Sequence, residues 1–205
     1  MTSLLEVRDL VVSFGKTFSV GPVNLAVNRG VIHFKGPNGG GKTTLLRAMG
    51  GELLPSKGSV CVNGQNIHSV VQARCHIALI TSTPELPAFL TVTEAYEFSA
   101  SLRGASGWDG KQYCEALQLD PKLPLGYASA GQRRKAELIC GLAGDPAVLL
   151  LDETFAHLDE PSAAQLSQWI GDWSSSRVIV LAHHGNPPVA VDQVLDVCRN
   201  DKSAR

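Results

Sequence analysis

The chain has 205 residues, a formal net charge of −1 and 18% charged residues. This length predicts one domain, or one core with an inserted subdomain, and it leaves no room for two large independent domains. The near-neutral charge argues against a broad basic face, so we expect no nucleic-acid partner.

The apolar stretches are short. The longest, such as Ala147–Leu151 and Val178–Ala182, have the length of buried strands and cannot cross a bilayer. Residues 1–8 lack a positive patch followed by an apolar run, so we expect no secretory signal and a cytosolic chain. The five cysteines are widely spaced and form no CxxC pair, which favours reduced, mostly buried thiols over disulfides or a zinc site.

In chain order, the first predicted elements are antiparallel strands. Leu4–Ser13 and Ser59–Asn63 partly alternate apolar with polar residues and are bounded by glycines. Further short β-branched runs lie at Val31–Phe34, Ile77–Ile80, Ala147–Leu151 and Val178–Ala182. Helical patterns separate some of these runs, which predicts a parallel sheet covered on both faces. The expected fold class is therefore α/β, with a small antiparallel β layer beside the parallel core.

Residues from about 91 to 143 are predicted to be mainly helical. Thr91 and Glu94 have the spacing of a capping box. One helical face would carry Ala136, Ile139, Cys140 and Ala143. We expect a single domain over 1–205, with a core lobe at about 1–83 and 144–205 and an inserted helical subdomain at about 84–143.

One segment has the pattern G-x-x-x-x-G-K-[ST] of a phosphate-binding loop. It follows the strand Val31–Phe34 and precedes the helical run Leu45–Met49, which is the context that the pattern requires. Its glycines let backbone N–H groups converge on phosphate oxygens, Lys42 can reach the β and γ phosphates, and Thr43 offers a hydroxyl to Mg²⁺. The sequence thus predicts a P-loop NTPase core whose candidate binding residues are Gly36, Pro37, Asn38, Gly39, Gly40, Gly41, Lys42, Thr43 and Thr44.

Two strand ends supply candidates for metal binding and catalysis. Asp152 and Glu153 follow the run Ala147–Leu151, at the sheet edge where α/β proteins bind ligands. We expect Asp152 to hold the Mg²⁺ shell and Glu153 to orient and deprotonate the attacking water. A histidine pair, His183 and His184, follows Val178–Ala182, and either imidazole could bond the γ-phosphate or hold the water.

The segment Ala128-Ser129-Ala130-Gly131-Gln132 separates the family alternatives, since a P-loop and an acidic strand end also fit a small-molecule kinase or a GTPase. It resembles the Leu-Ser-Gly-Gly-Gln signature of ABC ATPases, and it lies between the P-loop and the acidic strand as in that family. The resemblance implies that Ser129, Gly131 and Gln132 grip the γ-phosphate of ATP held by the opposite subunit. It also selects His183 over His184.

The resemblance extends over essentially the whole chain. It implies that Phe14 stacks on adenine, and that Asp159, in the His157-Leu158-Asp159 segment, belongs to a loop that crosses the interface of a head-to-tail dimer. One departure concerns the glutamine that touches Mg²⁺ or the water in this family, because its position falls at about Thr83. A threonine is shorter, so subdomain coupling and the hydrolysis rate are expected to differ.

The resemblance implies an ATP-binding subunit of an ABC transporter, with ATP and Mg²⁺ as cofactors. The expected partners are an integral membrane permease and a second ABC ATPase subunit, in a homodimer attached peripherally to the cell membrane. The Ser-Ala-Gly-Gln form of the signature resembles the ATP-binding subunits of haem exporters, which suggests export. The segment Pro84–Leu90, with apolar Leu86, Phe89 and Leu90, is the expected docking surface for the permease. The alternatives left open are a soluble, non-transport ABC-type ATPase and a P-loop kinase.

Overall fold

The fold is taken from a computed structural model, which describes residues 3–15, 17–81 and 86–201. The helices are α1 Lys42–Met49, α2 Val92–Leu102, α3 Lys111–Ala116, α4 Ala130–Leu142 and α5 Glu160–Trp173. The strands are β1 Leu5–Phe14, β2 Phe18–Val27, β3 Gly30–Lys35, β4 Lys57–Val62, β5 Gln65–Asn66, β6 Ile77–Ile80, β7 Val148–Asp152, β8 Val178–Ala182, β9 Gln193–Asp196 and β10 Arg199–Asp201.

The centre of the molecule is a five-stranded parallel sheet in the order β6-β7-β8-β3-β9. Its inner strands β7 and β8 are almost entirely apolar because both of their faces are covered. Successive residues of β7 alternate between two buried clusters: Val148 and Leu150 face one, and Leu149 and Leu151 the other. This alternation makes the parallel sheet the boundary between the two halves of the core.

The first half of the core lies between the two sheets. The antiparallel sheet has the order β10-β2-β1-β4-β5, and α1 packs between it and the parallel sheet. Four apolar side chains of α1 have no solvent exposure at all: Leu45, Leu46, Ala48 and Met49. Such burial contributes on the order of 2 kcal/mol for each large aliphatic side chain, so α1 is fixed firmly against both layers.

The second half of the core joins α2, α3, α4 and α5 to the other face of the parallel sheet. Thr91 caps α2 and Ser129 caps α4, each through a reciprocal capping box, with Glu94 and Gln132 as the respective partners. A cap of this kind contributes about 1 kcal/mol and fixes the residue at which the helix begins. The position of Ser129 is therefore determined by the start of α4.

The structure confirms the expected α/β class, with a parallel core sheet, a flanking antiparallel layer and a helical insertion. The capping box at Thr91 and the buried face of α4 are present as predicted. Four strands were not predicted, namely β2, β5, β9 and β10. Of the described residues, no helix is both long and apolar enough to cross a membrane.

The prediction of mostly buried cysteines was wrong, although all five thiols are free. Only Cys114 and Cys140 are buried, whereas Cys61 and Cys75 are partly exposed and Cys198 is exposed. Cys61 and Cys75 lie in a strand and a 3₁₀ turn near the surface, where a small side chain need not be enclosed. Burial raises the thiol pKa of Cys114 to about 11 and that of Cys140 to about 12, so these two thiols are unreactive.

Candidate functional site

Three adjacent strands of the parallel sheet bring the predicted site residues to one edge. The register aligns Phe34 of β3 and Asp152 of β7 with the same residue of β8, Ala182. The residues that follow these strands, from the loop after β3 to Glu153 and His183, therefore emerge side by side. Segments more than a hundred residues apart in sequence meet there because β8 lies between β3 and β7.

The loop from Gly36 to Gly41 depends on glycine at both ends. At Gly36 a Cβ atom would lie 2.2 Å from the carbonyl oxygen of Val197, and at Gly41 it would lie 2.4 Å from Val20. Gly41 also has a φ of +100°, which disfavours any residue with a side chain. Only glycine thus allows the loop to pass this close to β2 and to the segment after β9 and still lead directly into α1.

Lys42 is held inside the curve of this loop. Its side chain is largely buried, and Nζ donates to the carbonyl oxygens of Gly36 at 2.9 Å and Pro37 at 3.2 Å. A buried ammonium group is costly unless polar groups surround it, and here the loop carbonyls satisfy that need. The cation is thereby kept at the first turn of α1, where backbone N–H groups are also free to bind an anion.

A cavity of about 350 Å³ opens beside the loop. It is lined by Phe14, Phe18, Val20, Asn38, Gly39, Gly40, Gly41, Lys42, Thr43, Thr44, Asp152 and Glu153. The cavity therefore brings together the predicted aromatic residue, most of the predicted loop and both predicted carboxylates.

Thr43 and Asp152 are directly bonded. The Thr43 hydroxyl donates to Oδ2 of Asp152 at 2.9 Å, and Asp152 is only 1% exposed. A hydroxyl oxygen and a carboxylate oxygen at the same point are ligands that Mg²⁺ prefers. These are the two side chains that the sequence analysis assigned to the metal.

Glu153 projects from the strand end in an unusual backbone conformation. Its φ is +49°, which costs a residue other than glycine about 1–3 kcal/mol and is typical of functional sites. Its backbone N–H donates to the Ala182 carbonyl at 2.9 Å, which ties the turn to β8. The carboxylate thus faces a different direction from that of its neighbour Asp152, as expected for a separate role.

The two histidines after β8 contact Glu153 in different ways. Nδ1 of His183 lies 3.5 Å from Oε2 of Glu153, whereas His184 is exposed and contributes its backbone N–H to the same oxygen at 3.3 Å. Burial lowers the pKa of His183, Glu153 opposes this shift, and His33 and His184 add to it. The imidazole beside Glu153 is therefore neutral at pH 7 and can accept or donate a hydrogen bond.

Two phenylalanine rings form one side of the cavity, and only one of them, Phe14, was predicted from the sequence. Phe14 is 40% exposed and stacks on Phe18, with ring centroids 4.7 Å apart. The Arg199 guanidinium lies over the Phe18 ring, 3.8 Å from its centroid. Phe18 was missed because it begins a strand that was not predicted, and Arg199 was missed because it belongs to the equally unpredicted β10. The repeated phenylalanine around the Gly15 turn was the available signal.

The remaining predicted binding residues form a second cluster. Ser129 and Gln132 make the capping box of α4, and Gly131 lies close enough to the His157 carbonyl that a Cβ atom would come within 3.3 Å of it. Nζ of Lys135 donates to Asp159 at 2.7 Å. Bonds from Lys135 and Ser162 lower the Asp159 pKa to about 2. The structure thus brings 129–132 together with 157–159, and none of these residues lines the cavity beside the P-loop.

Two of the sequence predictions concern residues outside the described part of the chain. These are Thr83, the position of the usual glutamine, and Pro84, the start of the expected docking segment. Phe89 is 85% exposed, as a docking residue would be. Leu86 and Leu90 are partly buried against the helical half of the core, so only part of each side chain is presented to a partner.

Comparison with known proteins identifies the family of this chain. The ABC transporter family matches residues 20–156. A sulfate/thiosulfate import ATP-binding protein of Bradyrhizobium diazoefficiens is 33% identical over 178 residues, covering 81% of this chain and 52% of its own length. A cytochrome c biogenesis ATP-binding export protein of Pseudomonas syringae pv. tomato is 31% identical over 159 residues, covering 75% of each chain.

A solved structure has the same fold. It is described as a candidate ABC transporter ATP-binding protein of Pyrococcus furiosus, is 27% identical, covers 94% of this chain and 96% of its own, and superposes with a TM-score of 0.77. The chain spans about half the length of the import relative and more of the export relative. The family match covers more than half of the chain and includes the P-loop, the signature segment and the carboxylate pair. On this basis the chain belongs to the ABC transporter family.

Proposed function

We propose that this chain is an ATP-binding subunit of an ABC transporter that hydrolyses ATP. The observation that supports this most directly is the bond between Thr43 and Asp152, in a cavity that also holds Lys42 and Glu153. The cavity offers a cation for phosphates, oxygen ligands for a metal and a carboxylate for water. A regulatory nucleotide site without catalysis would not need Glu153 beside a neutral imidazole.

The donor set fits Mg²⁺. Asp152 and Thr43 offer two hard oxygen ligands, and among residues 3–15, 17–81 and 86–201 no group of three His, Cys, Asp or Glu side chains could hold a metal alone. Mg²⁺ is usually held by one or two protein oxygens with phosphate and water completing the shell. When bound, Mg²⁺ would neutralise charge on the phosphates.

The protein side chains would divide the remaining work. Lys42, already turned into the loop, would bind the β and γ phosphates through charge-assisted hydrogen bonds. Glu153 would accept a proton from the attacking water, and His183, 3.5 Å away, would hold the water or the γ-phosphate. Phe14 and Phe18 would offer the adenine a stacking surface. Water would attack the γ-phosphorus in line, and the bond from that phosphorus to the bridging oxygen would break, so that ADP leaves.

A head-to-tail dimer accounts for the second cluster. Ser129 and Gly131 stand at the start of α4, where backbone N–H groups and the helix dipole favour an anion. Since this cluster does not line the cavity of its own chain, we propose that it contacts the γ-phosphate held by a second copy, with Asp159 near the crossing point. Each ATP would then lie between two chains.

A groove between the core strands and α2 is the proposed docking surface for the permease. It contains a cavity of about 560 Å³ whose walls include Val71, Ile77 and Leu102, and a cavity of about 190 Å³ whose walls include Leu86. The two cavities share Ser99 and Arg103. Phe89 is exposed on the neighbouring segment, so a short amphipathic helix could bury it together with the groove.

The direction of transport is proposed as export. Support comes from the Ser129-Ala130-Gly131-Gln132 form of the signature, although the relatives include both import and export proteins.

We further propose that about 84–143 acts as a helical subdomain against a core of 1–83 and 144–205, and that the chain is held at the cytoplasmic side of the cell membrane by its permease.

The experiment that tests this function measures ATP hydrolysis by the purified chain and its recovery with detergent-solubilised membranes. Phe89→Glu should leave the protein folded and ATP-binding but reduce its recovery with the membrane partner. Val194→Glu, at a half-exposed apolar residue of β9, is the control and should behave as wild type. A soluble ABC-type ATPase would hydrolyse ATP without any membrane subunit, and a kinase would transfer phosphate to an acceptor other than water.

A further inference from the structure

Arg134 is a buried arginine in the helical half of the core. It lies in α4, five residues after Ser129, and only 2% of it is exposed. Its neighbour Arg133, in the same helix turn, is exposed. Burial of a guanidinium is unfavourable unless several hydrogen-bond acceptors surround it.

The Arg134 guanidinium bonds to backbone carbonyls from two separate strand ends. Nη2 donates to the Asp152 carbonyl at 3.0 Å, and Nε donates to the Thr154 carbonyl at 3.3 Å. Nη1 donates to the carbonyl of Thr81, the residue after β6. Two of these carbonyls bracket Glu153, and the third belongs to the end of β6.

Glu137 neutralises the arginine from the same helix. Its Oε2 accepts from Nη1 of Arg134 at 2.8 Å, and its Oε1 accepts from the Thr81 hydroxyl at 3.1 Å. Burial raises the pKa of Glu137, and the charge and hydrogen bond of Arg134 oppose that rise. The positive charge of Arg134 therefore favours the ionised form of Glu137, and the Glu137 carboxylate in turn orients the guanidinium of Arg134.

The planar shape of the guanidinium matters here. Its five N–H donors point in fixed directions, so one side chain can fix several acceptors relative to each other. The acceptors in this case are the backbone of Asp152 and Thr154, which bracket Glu153, and the backbone of Thr81. A lysine side chain has a single nitrogen and could not bond all three carbonyls in one plane.

We propose that Arg134 is a positioning residue that links the signature helix to the catalytic carboxylate of the same chain. In the proposed dimer, the start of α4 contacts ATP held by the other chain, and Glu153 acts on ATP held by its own chain. Arg134 thereby connects the two ATP sites through a single rigid side chain. This inference rests on the proposed ATPase function and adds to it a route for coupling between the sites.

The test compares Arg134→Gln and Arg134→Lys with the matched control Arg133→Gln in the full chain. Both Arg134 variants should bind ATP with a KM within about threefold of wild type, because Arg134 bonds the backbone of Asp152 and Thr154 and not the side chains proposed to bind the phosphates and the adenine. Their kcat should fall by about ten- to a hundredfold, the scale expected when a catalytic group is displaced by about 1 Å. Arg133→Gln should keep the wild-type kcat. Thermal unfolding of each variant measures how much protein is folded.

The outcomes separate this proposal from the proposed function. If wild type does not hydrolyse ATP, the proposed function fails first. If wild type is active and folded Arg134→Lys retains its kcat, the positioning role is rejected. It is equally rejected if the activity of both variants falls only in proportion to the folded fraction, or if neither variant folds, since Arg134 is then a structural residue. A selective fall in kcat at unchanged KM and unchanged unfolding temperature supports it.

Discussion

The Thr43 hydroxyl lies 2.9 Å from Oδ2 of Asp152 and donates to it, across 109 residues of sequence. This bond joins the first turn of α1 to the end of β7. It also places a hydroxyl oxygen and a carboxylate oxygen where a phosphate-bound Mg²⁺ would need them.

The Thr43–Asp152 pair predicts how hydrolysis depends on the metal. Thr43→Val removes the hydroxyl but keeps the shape of the side chain, so the Mg²⁺ concentration for half-maximal hydrolysis should rise by about tenfold or more, which corresponds to the loss of roughly 1.4 kcal/mol of metal binding. Thr43→Ser keeps the hydroxyl and should stay near wild type. Hydrolysis assayed against Mg²⁺ concentration distinguishes the two, and equal curves for both variants would remove Thr43 from the metal site.

The stacked pair Phe14 and Phe18 predicts the contribution of the adenine to binding. Phe14→Ala should weaken ATP binding by about tenfold, because stacking of a base on an aromatic side chain contributes roughly 1–3 kcal/mol. Inorganic triphosphate lacks the base, so its binding should not change. Phe98→Ala removes a phenylalanine that is 54% exposed on α2 and serves as the control. Isothermal titration with both ligands measures the difference, and an equal loss for ATP and triphosphate would contradict the stacking role.

The lowered pKa of His183 predicts how stability varies with pH. Because burial disfavours the imidazolium, the unfolded chain binds this proton more readily than the folded chain. The free energy of unfolding should therefore decrease as the pH falls below the unfolded value of about 6.5, until the folded pKa is reached.

Chemical unfolding of the nucleotide-free protein from pH 8 to 5 measures this dependence. His183→Gln should show a weaker decrease than wild type. His184→Gln should follow wild type, since His184 is exposed and its backbone bond to Glu153 is retained. An identical pH dependence in His183→Gln and wild type would show that this imidazole is not disfavoured in its charged form.

Thr83, where the family carries a glutamine, gives a prediction from the sequence alone. Thr83→Gln should leave ATP affinity nearly unchanged but alter the hydrolysis rate or its stimulation by a membrane partner. Measurement of kcat with and without the permease tests this. Unchanged values of both would mean that the family glutamine corresponds to another position or has no role here.

The sequence predicted those parts of the site in which each residue type has one chemical purpose. The loop around Lys42, the carboxylates Asp152 and Glu153, and the capping box at Thr91 could all be recognised from local spacing. Their approach to one another could not be predicted from spacing, because it depends on β8 lying between β3 and β7. That order is a property of the folded sheet.

The parts that were missed depend on tertiary contacts without a local pattern. β9 has mostly exposed side chains and β10 is only three residues long, so neither carries the apolar period of a strand. Arg134 follows Arg133 in the sequence with no local sign that it is buried, and only the packing of α4 against β6 and β7 shows that it is. For Leu86 and Leu90 the sequence left open whether they face a partner or pack inside the helical lobe, because their segment alone does not show what lies against it.

The most direct test of the central claim is the mass of the Glu153→Gln variant by light scattering, with saturating ATP and Mg²⁺. The substitution keeps the side-chain shape but removes the base, so ATP should bind and remain unhydrolysed between two chains. A head-to-tail dimer predicts a mass of twice the 21.8 kDa chain with ATP, the mass of one chain without nucleotide, and no dimer when Lys42→Ala is added. A Glu153→Gln variant that binds ATP yet stays at the mass of one chain would contradict the head-to-tail ATPase dimer.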